Sequence, residues 1–217
     1  MLYMKVLVFA PHNDDEVLGV GGTIAKYAEE GHAVYVCEIT SGLNTKILQM
    51  EAKKAHQILG VKETFHMNLP AVKLKNMEVS EINDSISNVI KRINPEIVFT
   101  PFIGDMHIDH REVTESVLVA ARPIDNSSIK TVYMYETLSE TGWNIPNSDR
   151  SFIPDTWIDI TDYVDHKINA MKCFESQIKE YPNPRSEASI KAMAMYRGST
   201  VSIEYAEAFM LIRNIIR

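Results

Sequence analysis

The chain of 217 residues holds only two cysteines, Cys37 and Cys173, and no C-x-x-C pair. That excludes a disulfide framework and a thiolate metal site, so both read as buried, reduced thiols. Positive charge is also in short supply: 22 Lys and Arg stand against 29 Asp and Glu, a net charge of −7. Nucleic-acid affinity needs clustered Lys and Arg to neutralise phosphates, so no nucleic-acid partner is expected. No apolar run approaches the roughly 20 residues that cross a bilayer, and no membrane span is expected. The opening MLYMKVLVFAPH lacks a basic region followed by an apolar stretch and a small-residue cleavage site. It reads as a first strand, which makes the cytoplasm the default address. A G-x-S-x-G elbow is missing and neither cysteine lies near a histidine-bearing loop, which leaves a serine or cysteine hydrolase without support.

What is present is an alternation of short β-branched runs and helical patterns. Val6–Ala10, Ala33–Thr40, Thr64–Met67 and Glu96–Thr100 read as strands. Helices are predicted over Gly19–Glu30, Lys46–Leu59 and Ser80–Ile93, stopped by Gly31, Gly60 and Pro95. Further along, KTVYMYE and TWIDIT look like strands, and Asp162–Tyr181 and Ser186–Tyr196 like helices. This βαβαβαβ order predicts one α/β domain over 1–217, with a mostly parallel sheet and helices on both faces. With strand order 3-2-1-4, the loops after Ala10 and Thr100 face each other at the carboxyl ends of the strands, where such sheets bind ligands.

Those two loops carry the chemistry. The first, in KVLVFAPHNDDEVLGVGGT, places His12, Asn13, Asp14, Asp15 and Glu16 between a strand and a glycine cluster. A glycine-rich strand-to-helix turn usually receives an anion; three successive acids there point to a cation. The second, PFIGDMHIDHREV, supplies Asp105, His107, Asp109 and His110. His12, Asp15 and His110 make a two-histidine, one-carboxylate set of the kind that holds catalytic zinc with one position open. Asp14 and His107 are then left to act on substrate. The plainer reading gives His12 a helix-capping role and the acids a helix dipole to face; two such clusters at matching strand ends favour the metal. A dinucleotide site on Gly19, Gly21, Gly22 and Glu38 conflicts with Ile24 where glycine or alanine is needed, and with Asp14 and Asp15 where a pyrophosphate would lie. The glycines are instead expected to let the first helix pack closely on the sheet. His32, His56, His66 and His166 are assigned ordinary packing or surface roles.

PHNDDE with GVGGT, HIDH, and the late pair Arg197–Gly198 with Tyr205–Phe209 resemble the LmbE-like (PIG-L) zinc-dependent N-deacetylases. The resemblance implies a Rossmann-like fold and hydrolysis of the acetyl group from an N-acetylglucosamine-type sugar or its conjugate. It makes His12, Asp15 and His110 the ligands of Zn2+, a set that other divalent transition metals also suit. Asp14 becomes the general base, His107, as an imidazolium, the residue that stabilises the oxyanion, and Asp109 the acid held beside that histidine. The partner implied is a small-molecule N-acetylated sugar, with homo-oligomerisation left open. Alternatives are a catalytically inactive sugar-binding module of the same fold and an amidase for a non-sugar amide. Asn13 stands where the family has proline and is expected to change little. Leu48, Gln49 and Met50 stand where an arginine commonly precedes the glutamate matching Glu51, which leaves the substrate open. Ser202 stands where glycine is frequent.

Overall fold

A computed structural model describes residues 3–124, 127–145 and 148–216. Its first strand, β1 (Lys5–Ala10), is almost continuously apolar because both faces are covered. Val6 and Val8 point into one core layer with Val17, Ala52, Ile168 and Ile190, while Leu7 and Phe9 point into the other with Ile86, Ile90, Val113 and Val117. The helices that supply those residues are α1 (Asp15–Glu29), α2 (Thr45–Leu59), α5 (Val164–Lys172) and α6 (Glu187–Ser199) on one face, and α3 (Val79–Ile93) and α4 (Ile108–Ala120) on the other.

The remaining strands are β2 (Ala33–Ser41), β3 (Glu63–Pro70), β4 (Ile97–Pro101), β5 (Thr131–Tyr135), β6 (Thr156–Asp159) and β7 (Ala206–Asn214). The sheet order is β3-β2-β1-β4-β5-β7-β6, parallel from β3 through β5, with β7 antiparallel to both of its neighbours. The chain therefore leaves β1 toward β2 and later returns on the opposite side at β4. The loops after β1 and β4 open beside each other, as the expected 3-2-1-4 order requires.

Two helices differ from the sequence pattern. The first begins at Asp15, four residues before the glycine cluster, because two carboxylates in the first turn favour the positive end of the helix. The long helix expected over Asp162–Tyr181 is only α5, Val164–Lys172. Beyond it, the Ser176 backbone N–H and hydroxyl donate to Glu51 at 3.0 and 2.6 Å, which ties the chain to α2 and out of helical continuation.

The late motifs are fasteners. Glu207 on β7 accepts from the backbone N–H groups of Gly22 and Thr23 at 3.0 and 2.8 Å and from Lys167 Nζ at 2.5 Å, locking α1 and α5 to the sheet. Arg197 makes a two-pronged pair with Glu136 at 2.7 and 2.6 Å. Ser202 has φ 60, the left-handed region that favours glycine.

Gly19 lets α1 sit directly on the ring of Tyr135, whose hydroxyl donates to the Phe9 carbonyl at 2.8 Å. A Cβ at this position would overlap that fully buried ring. Gly19→Ala is therefore expected to destabilise the fold by about 1–3 kcal/mol despite the better helix propensity of alanine. Thermal unfolding checks this, since each kcal/mol shifts Tm by roughly 2–4 °C in a domain of this size. An unchanged or raised Tm contradicts the packing.

Candidate metal centre

The β1–α1 turn places His12, Asp14 and Asp15 at the crevice, and the β4–α4 loop brings His107, Asp109 and His110 to meet them. Asp15 Oδ2 lies 3.1 Å from His12 Nδ1 and 3.1 Å from His110 Nε2, and accepts the His12 backbone N–H at 2.9 Å. One donor atom from each of His12, Asp15 and His110 lies within 4.8 Å of the others. His110 is oriented from behind by Asp105, whose Oδ2 lies 2.8 Å from Nδ1 and whose Oδ1 accepts from the Thr141 hydroxyl at 2.5 Å. A carboxylate behind a histidine in this way fixes which ring nitrogen faces the centre.

The electrostatics favour a cation here. Burial opposes charge on His12, but Asp109 and Asp15 overcome it and hold the imidazole up at about 9. Burial likewise opposes charge on His110, yet Asp15 and Asp105 raise it to about 10. Burial pushes the Asp15 carboxyl upward, and the two histidines outweigh it and hold it well below the usual range. Asp15 Oδ1 and His110 Nε2 are nevertheless buried without a hydrogen-bond partner among the described residues. Nitrogen and oxygen donors crowded together and left unsatisfied fit a divalent transition metal.

Asp14 and His107 are not in this set, though His107 forms with His12 and Asp109 an overlapping group of donors within 4.8 Å of one another. Asp14 is buried, and burial pushes its carboxyl up to about 6 against the opposing pull of Arg185, whose Nε is 3.5 Å away. His107 precedes α4, and its Nδ1 accepts the Asp109 backbone N–H at 3.1 Å, a helix cap. Burial, with His12 and His110 facing it, pushes His107 down to about 4. With Nδ1 taken up by the Asp109 N–H, Nε2 is the ring nitrogen left to face the crevice. The Asp109 carboxylate lies beside both His107 and His12. Its Oδ2 lies 3.3 Å from His12 Nε2 and accepts the Val72 backbone N–H at 2.6 Å, but is 4.0 Å from His107 Nδ1. Val72 has φ 64, an uncommon conformation for a β-branched residue.

A family model described as "PIG-L: GlcNAc-PI de-N-acetylase" matches residues 7–121, more than half of the chain. The chain belongs to the PIG-L family. It is 28% identical to a diacetylchitobiose deacetylase of Thermococcus kodakarensis over 97% of this chain and 84% of that one. Among solved structures, a conserved protein of Thermus thermophilus superposes with a TM-score of 0.80 at 24% identity, over 99% of this chain and 97% of that one. A 4-carboxy-2-hydroxymuconate hydratase of Pseudomonas putida gives 0.79 at 20% identity, over 99% and 98%. The PIG-L fold is thus shared with a protein named for a different reaction, so chemistry has to be argued from the site.

Several groups around this PIG-L centre have no local sequence signal. Arg185 reaches Asp14 from the connection between α5 and α6. Glu16 faces His56 Nε2 at 3.0 Å, and Glu38 accepts from the Asn13 side-chain amide and lies 2.6 Å from His66 Nδ1. Asn13, His56 and His66, given no special part by the sequence, are joined to buried carboxylates.

His110→Ala removes one of the three donors, so it is expected to lower bound metal at the centre sharply with the fold retained. Asp105→Ala keeps all three donors and is expected to weaken metal affinity by about 10–100-fold. Competition against a chromogenic chelator measures both, with circular dichroism as the folding control; equal affinity in Asp105→Ala and wild type would contradict the orienting role.

Proposed function

We propose that the protein is a zinc-dependent N-deacetylase that hydrolyses the acetamide of an N-acetylated amino sugar or its conjugate, with 1–217 acting as one catalytic unit. The observation that carries this reading is the separation of roles within one crevice. Three donors converge on one point, while a buried carboxylate and a further imidazole border it without being needed to complete the set. Family membership and the similarity to a diacetylchitobiose deacetylase support the amide and the sugar. His12, Asp15 and His110 would hold the ion. When bound there, zinc supplies Lewis-acid charge at the acetamide carbonyl and makes water more acidic.

The protein's own residues perform the rest. Asp14 Oδ2, buried and aimed at the crevice, takes a proton from the attacking water. Arg185 beside it holds the carboxylate in the charged form that accepts the proton. His107, with Nδ1 occupied by the Asp109 N–H, presents Nε2–H to the carbonyl oxygen as negative charge develops there. Water's oxygen bonds to the acetyl carbon, the C–N bond breaks, and the proton held by Asp14 passes to the departing nitrogen. Acetate and a free amine result. Asp14 is thus the group that carries the proton from water to nitrogen.

The arginine commonly placed near Glu51 is replaced by Leu48, Gln49 and Met50, and Glu51 itself is committed to Ser176. Arg185 provides cationic charge at the crevice from another direction. The two unpaired cysteines suit the reducing cytoplasm as the place of action.

Acetate release from a panel of acetamido sugars, free and conjugated, tests the reading. At least one is expected to be cleaved, with activity lost on chelation and restored by Zn2+. Asp14→Asn, matched in size but unable to take the proton, is expected to keep the metal and lose about 10²–10⁴-fold in turnover. Retention of wild-type turnover by Asp14→Asn on a cleaved substrate rules out its general-base role.

A further inference from the structure

Beside the centre described above lies a second group of buried donors that the proposed hydrolysis does not use. Glu16, Glu38 and His56 are 0%, 1% and 4% exposed, and one donor atom from each lies within 4.8 Å of the others. They come from α1, β2 and α2, which pack against one another at the active-site end of the sheet. Glu38 stands level with Ala10 on β1 and His66 on β3, so the group occupies the row next to His12.

Each of the two carboxylates is half satisfied. Glu38 Oε2 receives the Asn13 amide and faces His66 Nδ1 at 2.6 Å, while Glu16 Oε1 faces His56 Nε2 at 3.0 Å. Their other oxygens, Glu16 Oε2 and Glu38 Oε1, are buried without a hydrogen-bond partner, and no lysine or arginine among the described residues pairs with either acid. Two buried carboxylates in contact range, each with an orphaned oxygen, are strongly unfavourable unless one takes up a proton, toward which burial pushes Glu16, or a cation lies between them. His56 Nδ1 is 2.8 Å from the Thr64 hydroxyl. In the tautomer that gives its hydrogen to that oxygen, Nε2 is free to ligate an ion held between it and Glu16, as in a metal-binding histidine held from behind.

We propose that Glu16, Glu38 and His56 form a second divalent-cation site for an ion that accepts mixed nitrogen and oxygen donors, Zn2+ or a similar first-row metal. Asn13 and Thr64 hold the ligands in place. His66, a third exposed, opens the site to a groove of about 730 Å³ between α2 and β3, which His56 also lines. The groove is the route by which the ion enters. Lys46, Lys53 and Lys62 share it but are exposed, where salt screens their charge. The second site shares no ligand with the first, and the inference stands independently of the deacetylase reading.

The test is metal stoichiometry on the full chain, stripped with chelator, reloaded with Zn2+, desalted and analysed by elemental mass spectrometry. Wild type is expected to bind two ions per chain. His110→Ala is expected to keep one, and the double variant Glu38→Gln/His56→Gln to keep the other. A single ion in wild type overturns the proposal, and so do two ions retained by the double variant. Should the double variant fold poorly, Co2+ titration of wild type and His110→Ala decides. Two saturating visible-absorption steps are expected in the first and one in the second; a single step in wild type, or none in His110→Ala, overturns the site.

Discussion

Three consecutive buried acids, each requiring a partner of its own, set the arrangement of this protein. Successive residues at the start of a helix project about 100° apart, so Asp14, Asp15 and Glu16 cannot share one partner. Asp15 turns to His12 and His110, Asp14 to Arg185, and Glu16 to His56. Those partners come from separate segments of the chain, and the fold must deliver all of them to one end of the sheet. The carboxylates could not be buried this deeply if any of those deliveries failed.

The sheet makes the delivery by topology. Because β1 has β2 on one side and β4 on the other, its terminal loop receives α2 across one edge and the β4–α4 loop across the other. The antiparallel pair β6–β7 then extends the sheet beyond β5, and Glu207 uses it to grip α1 two turns below the acids. The glycines of that helix serve close packing against Tyr135 and Ile160, not a phosphate, which is why a glycine-rich turn can coexist here with a run of acids.

The parts of the site legible in sequence are those whose residues are near one another in the chain. His12 through Glu16 and Asp105 through His110 declare themselves by type and spacing at predicted strand ends, and the βα alternation is enough to bring them together. Arg185, Glu38 and His56 lack that kind of signal: each is an ordinary residue until a partner many positions away meets it. Asn13 reads as a neutral replacement for proline because its significance lies wholly in the Glu38 side chain across the sheet. The helix pattern over Asp162–Tyr181 overextends for a related reason, since propensity cannot register that Ser176 is held by Glu51. The cap that His107 Nδ1 gives to α4 is likewise hidden, since it depends on where the helix begins.

Asp109 Oδ2 touches both the imidazole of His12 and the backbone N–H of Val72, whose φ of 64 places a branched side chain in a region costing about 1–2 kcal/mol. One oxygen therefore connects the candidate metal centre to the backbone just after β3. The same oxygen that faces His12 fixes the backbone of the segment after β3 in an uncommon conformation, so neither neighbour of Asp109 can shift without the other losing a contact.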